Sequence, residues 1–361
     1  MPVINEEASV MRNITTAELV HEMGYGINIG NTFEACGDWI NGTSQNDYER
    51  AWGSPTVTQK MIQGYADAGF GVLRIPVSWS NMMKNDGTYT ICPELMARIK
   101  EVVSWSLDTG IYVIINVHWD NGWFRGFGRD EDRDECMRKY ERLWKQISEE
   151  FKACGDKLMF EAMNEEGDWK DIWNRYSKQG DKEKLYEIFN SINRRFVEII
   201  RSSGGNNPKR HLLIPGPVTD IDLTCDKLFK MPDDPAQRMA VSVHYYNPPS
   251  LTICEKDESW GKALTEWGSK EDISELEKYV NMIKETFIDK GIPVIVGEYG
   301  CFGKNKKREV NTRWMLTVSK AMYEAGACPV LWDTPYGEYD RDAAVFKDPG
   351  FIEELIKPSG K

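Results

Sequence analysis

Eight short apolar, β-branched runs recur along this chain, each followed by a segment of helical periodicity, and no other feature restricts the fold so tightly. The runs fall at 24–29, 71–77, 111–118, 157–164, 211–215, 239–245, 293–298 and 327–332. Continuous apolar runs fit strands covered on both faces, as in a parallel sheet. Between them, Leu95, Ile99, Val102 and Val103 share one helical face. So do Leu185, Ile188, Phe189, Ile192, Phe196, Ile199 and Ile200, and again Leu276, Tyr279, Val280, Ile283 and Phe287. Thr56 with Gln59, and Ser274 with Glu277, have capping-box spacing and are expected at helix starts. Gly69, Gly110, Gly291 and Gly326 each stand where a helix must end before a strand. Strand and helix alternating over the whole length predict an α/β fold, and eight units predict a closed (β/α)8 TIM barrel. No Gly/Ser linker or compositional break divides the 361 residues. A single domain over 1–361 is expected, with its barrel core near 19–357. Loops at 166–184 and 247–272 follow the fourth and sixth strands, on the face where barrel active sites form.

The net charge of −12 repels phosphate backbones and anionic lipid, so neither nucleic acid nor membrane is an expected partner. No stretch is apolar over about 18 residues, the length of a membrane span. Thirteen Trp and fifteen Tyr suit a cleft for sugars, whose rings have apolar faces and hydroxyl rims. Half of these aromatics are assigned to core packing. The eight cysteines form no CxxC pair and lie mostly in apolar segments, so they read as buried free thiols. A Cys225–Cys254 bridge is the one alternative weighed.

Polar residues at the strand ends carry the chemistry. Arg74 ends the second run, His118 the third, Asn164 and Glu165 the fourth, His244 and Tyr246 the sixth, Glu298 the seventh and Trp332 the eighth. A barrel brings all eight to one face. Two glutamates across a barrel mouth suit glycoside hydrolysis: one carboxyl protonates the leaving oxygen while the other attacks the anomeric carbon. That division of labour asks for a raised pKa at Glu165 and a lowered one at Glu298, with Arg74 and Tyr246 holding Glu298 ionised. Glu161, in mid-strand, is expected beneath this pair rather than at the surface.

The segments Gly26-Ile27-Asn28-Ile29-Gly30-Asn31-Thr32, Trp52-Gly53-Ser54-Pro55, Arg74-Ile75-Pro76-Val77-Ser78-Trp79, Phe160-Glu161-Ala162-Met163-Asn164-Glu165, His244-Tyr245-Tyr246 and Val296-Gly297-Glu298-Tyr299-Gly300 are six motifs in fixed order. Together they resemble glycoside hydrolase family 5, most nearly its subfamily 4 endo-β-1,4-glucanases. The resemblance implies Glu165 as acid/base, Glu298 as nucleophile and Asn164 as the contact to the sugar 2-hydroxyl. It implies that Arg74 and Tyr246 position the nucleophile, that His118 and His244 line the subsite at the scissile bond, and that Trp332 is its platform. Asn28, in the first-strand motif, and Trp119 join the supporting set. The chain departs from many relatives at Glu166, where they have Pro, and at Trp119, where they have a second His.

The expected substrate is β-1,4-glucan (cellulose, its carboxymethyl derivative or mixed-linkage glucan), with xylan, xyloglucan or glucomannan as further candidates. A mannanase or xylanase of the same fold is the near rival. A metal-dependent hydrolase using His118 and His244 is disfavoured by four histidines in all. A non-catalytic polysaccharide-binding barrel is disfavoured by the presence of both glutamates. No cofactor or metal is expected, and a monomer is the default. A secreted or cell-surface location follows from a polymeric substrate, with removal of a signal peptide, since 1–13 lacks an apolar core. His21 and His211 are read as structural, and the charge run 125–142 as a solvated helix face. Trp39, Trp119, Trp123, Trp169, Trp260 and Trp267 fall in top-face loops, with even odds between sugar platform and packing.

Overall fold

A computed structural model describes residues 6–360. Its eight barrel strands are β1 (Gly26–Ile29), β2 (Val72–Ile75), β3 (Tyr112–Asn116), β4 (Leu158–Glu161), β5 (Leu212–Pro215), β6 (Met239–Tyr245), β7 (Val294–Tyr299) and β8 (Cys328–Asp333). They pair in parallel and in order, and β8 closes onto β1, so the expected (β/α)8 barrel is what forms. Each run matches one strand, but β3 and β4 leave the ladder earlier than the apolar pattern suggested. His118, Asn164 and Glu165 therefore sit on the loops just past strand ends. A last backbone bond still steers each departure: His118 N donates to Val77 O at 2.9 Å and Ala162 N to Leu213 O at 3.1 Å.

Strand alternation sorts the side chains into two buried layers. Val72, Ile114, Met159, Leu213, Ala240, Ile295, Cys328 and Val330 fill the barrel interior. Below them the helix Thr16–Met23 plugs the barrel floor with Leu19, Val20 and Met23. Each such side chain contributes roughly 1.5–3 kcal/mol. The other layer faces the helices and includes Ile27, Leu73, Val113, Ile115, Phe160 and Val243. Helices Pro93–Asp108 and Lys182–Ser202 bury the faces expected of them. In Lys270–Thr286, Leu276, Tyr279 and Ile283 are buried while Val280 is only partly covered.

Both expected capping boxes are displaced. Helix Lys270–Thr286 starts at Ser269, which pairs reciprocally with Asp272, so Ser274 lies inside it. Here Asp272 stands where the box usually has Glu or Gln, and Gly268 at φ +111° precedes the cap. Helix Gln59–Asp67 is capped by Thr58, while the Thr56 hydroxyl goes to Asn46 at 2.5 Å. Gly69, Gly110, Gly291 and Gly326 all take positive φ after their helices. A hairpin of β9 (Tyr339–Asp340) and β10 (Val345–Phe346), absent from the sequence reading, packs Tyr339 and Phe346 on Tyr65. All eight cysteines are free thiols, so the Cys225–Cys254 bridge does not form.

Candidate active site

Arg74 organises the barrel mouth. Its guanidinium is wholly buried and donates to four side chains on three other strands or their ends. Nε reaches Glu161 Oε2 at 2.7 Å, Nη1 reaches Asn28 Oδ1 at 3.0 Å and Glu298 Oε1 at 2.8 Å, and Nη2 reaches Asn164 Oδ1 at 2.9 Å. A buried cation is tolerated only when paired and fully hydrogen-bonded. Glu161 and Glu298 supply two opposing charges, and they hold the Arg74 pKa up against burial. Glu161 is buried as expected, and it also accepts from Asn116 Nδ2 at 3.0 Å and Ser242 Oγ at 2.8 Å. Asn116 and Ser242 escaped the sequence reading. Their signal was available: a polar residue inside a run buried on both faces has only the barrel interior to point into.

Glu298, 5% exposed, accepts from the Tyr246 hydroxyl at 3.0 Å on its second oxygen. Glu165 stands opposite, its side chain 42% exposed at the rim, with His244 Nδ1 2.8 Å from Oε1. One oxygen of each carboxylate and His244 Nδ1 or Nε2 all lie within 4.8 Å of one another. A register shift between β6 and β7 at Val243/His244 pairs His244 with Glu298 and aims both into the mouth. Gly297 makes this approach feasible, because a Cβ there would lie 3.1 Å from His244 Nε2 and 3.2 Å from Ser242 Oγ.

The pKa order of the free site is the reverse of the expected one. Burial alone would raise Glu165, but the hydrogen bond and charge of His244 and the field of Arg74 outweigh it and lower the carboxyl. Burial raises Glu298 against the pull of His244 and Arg74, and the neighbouring Glu165 charge adds to the rise. His118 is pushed well below its usual value by burial and by Arg74, so it is uncharged.

Above this network lies a cleft of about 450 Å³ lined by Trp52, His118, Trp119, Asn164, Glu165 and Trp332. Asn28, Arg74, His244, Tyr246 and Glu298 underlie it. His118 and Trp332 stack nearly parallel, 7° apart with centroids at 6.0 Å. Trp119, Trp39 and Trp260 are exposed, whereas Trp169 and Trp267 are packed and Trp123 is half-buried. Trp119 is carried by a tight loop that Asp120 pins, accepting from Ser80 N and Oγ, both at 2.7 Å, and from Trp123 Nε1 at 2.6 Å. Glu34, Trp52, Arg125, Glu166 and Asp168 also line the cleft and were not anticipated as site residues. Arg125 thus leaves the solvated charge run in which sequence placed it. A larger groove of about 840 Å³ lies between the outer helices near Leu276, Arg313 and Leu316, away from any strand end, and carries none of this chemistry.

Such a mouth can protonate a leaving oxygen from one side and present a carboxylate to carbon from the other. Glu165, His244 and Glu298 also have the donor atoms for a cation, but Arg74, already 2.8 Å from Glu298, opposes one. Barrel, carboxylate pair and aromatic cleft together define a glycoside hydrolase. Residues 33–337 match the family model of cellulase, glycosyl hydrolase family 5. Endoglucanase A of Ruminococcus albus is 34% identical over 96% of this chain and 93% of its own. A xyloglucan-specific endo-β-1,4-glucanase of Bacteroides ovatus is 33% identical over 96% of this chain and 71% of its own. Among solved structures, a subfamily 4 broad-specificity endoglucanase from an uncultured bovine rumen ciliate superposes with TM-score 0.85 at 32% identity, covering 96% of this chain and 99% of that one. The chain belongs to glycosyl hydrolase family 5, and its structural neighbours include subfamily 4 enzymes. Among the described residues no helix is long and apolar enough to cross a membrane.

Proposed function

We propose that this chain is a retaining endo-β-1,4-glucanase in which Glu298 is the nucleophile and Glu165 the acid/base. The observation that carries the assignment is the carboxylate separation within 4.8 Å. Retaining glycosidases hold their carboxyls about 5–5.5 Å apart, whereas inverting ones need about 6.5–9.5 Å to admit a water. Glu298 attacks the anomeric carbon as Glu165 gives its proton to the departing glycosidic oxygen, leaving a glycosyl ester on Glu298. Glu165 then takes a proton from a water that attacks the same carbon, and Glu298 leaves as carboxylate. A sugar lying over Glu165 removes its solvent and raises its pKa toward the acid role, while Arg74 and Tyr246 stabilise ionised Glu298.

Asn164, held by Arg74, is the contact for the 2-hydroxyl, and Asn28 fixes Arg74 from the other side. His118 and His244 flank the sugar, with Trp332 as its platform and Trp119 as a second one. The substrate reading is β-1,4-glucan, supported by relatives from Ruminococcus albus and Paenibacillus barcinonensis that are named endoglucanases and are matched over most of their own length. The Bacteroides ovatus relative favours xyloglucan as a second reading. A polymeric substrate supports a location outside the cell or on its surface, with the chain acting as a monomeric catalytic domain.

The test is release of reducing ends and loss of viscosity with carboxymethyl-cellulose, xyloglucan, xylan and glucomannan. Glu165→Gln and Glu298→Gln run beside the wild type. Early viscosity loss that disappears in both variants is the expected result, and the best substrate names the specificity. No release from any polymer by the wild type refutes the reading.

A further inference from the structure

Glu166 follows the acid/base in sequence yet has no part in the chemistry above. It is 6% exposed and lines the cleft together with Trp119, Arg125 and Asp168. Among the described residues its carboxyl makes no hydrogen bond or ion pair. Only its backbone is engaged, with Val218 N donating to Glu166 O at 2.7 Å. The next residue, Gly167, takes φ +109°, and a Cβ there would lie 3.1 Å from the Phe189 ring. Burial, with help from the charges of Glu165 and Asp120 and against the pull of Arg125, pushes the Glu166 carboxyl well above the usual carboxylate range, which favours its uncharged form.

Its oxygens are not sealed off from solvent, and no group among the described residues pairs with them where they reach the cleft. Here the open side is the cleft itself. An uncharged carboxyl offers one donor and one acceptor, the same pair that a sugar hydroxyl offers. In the same cleft Trp119 is 43% exposed, with the Arg125 guanidinium over its ring at 5.8 Å.

We propose that Glu166 is a further substrate-contacting residue, whose carboxyl hydrogen-bonds a hydroxyl of the neutral sugar that stacks on Trp119. The inference rests on the cleft being a β-glucan site. It adds a contact one residue from Glu165 that belongs to binding and not to proton transfer. An amide at this position should reproduce the contact, and an apolar side chain of equal size should lose it.

Calorimetric titration of cellohexaose into the Glu298→Gln protein reads binding without turnover. Adding Glu166→Met is expected to weaken binding about fivefold, the usual worth of one neutral hydrogen bond. Adding Glu166→Gln is expected to keep it within about twofold. Thermal melting of each variant separates contact from fold, because Gln and Met both preserve the side-chain volume. Equal binding by the Met and Gln variants overturns the inference, whether both match the parent or both fall. No binding by the Glu298→Gln parent overturns the substrate reading as well.

Discussion

Tyr246→Phe removes a single hydroxyl and leaves the ring in place. That hydroxyl donates to Glu298 Oε2 at 3.0 Å, and Arg74 still holds the other oxygen at 2.8 Å. A hydrogen bond to a charged group is worth about 1.5–3 kcal/mol. The lower end applies, since the guanidinium stays. At about 1.4 kcal/mol per pKa unit the change is roughly one unit. The phenol favours the ionised carboxylate, so its loss raises the Glu298 pKa further above the ordinary value. The nucleophile must be ionised, and the acidic limb of kcat/KM therefore moves to higher pH by about one unit. Below that limb the variant is about tenfold slower, and above it the two profiles converge. Initial rates of reducing-end release from a soluble glucan, taken across about pH 4 to 8, read the shift. A loss that is uniform across pH, or a limb displaced to lower pH, refutes the role given to Tyr246.

Glu161→Gln leaves Arg74, Asn116 and Ser242 sharing one amide, and is expected to lower kcat by about a hundredfold with KM little changed, although Glu161 never touches sugar. The same variant should lose about 3–5 kcal/mol in denaturant unfolding, because it uncouples a buried ion pair. Gly297→Ala should fold, with an unaltered circular-dichroism spectrum, and lose about tenfold in kcat as the new methyl displaces His244. Arg210→Met acts on stability alone: Phe151 O, Cys154 O, Gly155 O and Leu158 O each lose one donor, and the Asn207 amide oxygen loses the Arg210 Nε–H. About 3 kcal/mol or more should be lost in unfolding, with activity per folded molecule unchanged.

The strand ends were legible because an apolar run that stops at Arg, Asn, Glu or His leaves that residue nowhere to go but the barrel mouth. Arg74, Asn164, Glu165, His244, Tyr246 and Glu298 all gather there. The interior layer was less legible. Asn116 and Ser242 look like tolerated polar substitutions until Glu161 is seen to need both. Cleft walls were legible only in part, because they come from loops whose paths depend on long-range contacts. Arg125 was hidden in a mixed charge run, and Glu34 and Trp52 lie on the long excursion after β1. The pKa order failed for a different reason: it depends on His244 facing Glu165 and on how deeply each carboxyl is covered, neither of which is written in spacing. Cap positions failed because Ser269 with Asp272 competes with Ser274 and Glu277 at equal spacing.

The four donors of Arg74 bind partners at positions 28, 161, 164 and 298, drawn from β1, β4 and its loop, and β7. No half of the chain contains them all. A fragment ending before β5 would carry Arg74 and Glu165 without Glu298, and would leave a guanidinium half neutralised in a hole open to water. Turnover thus requires β1, β2, β4 and β7 to be in place together, so activity that returns on refolding reports assembly of the whole mouth. Cuts or new termini placed in the outer helical connections leave this junction untouched, so rearranged chains that close the ring should recover the full rate.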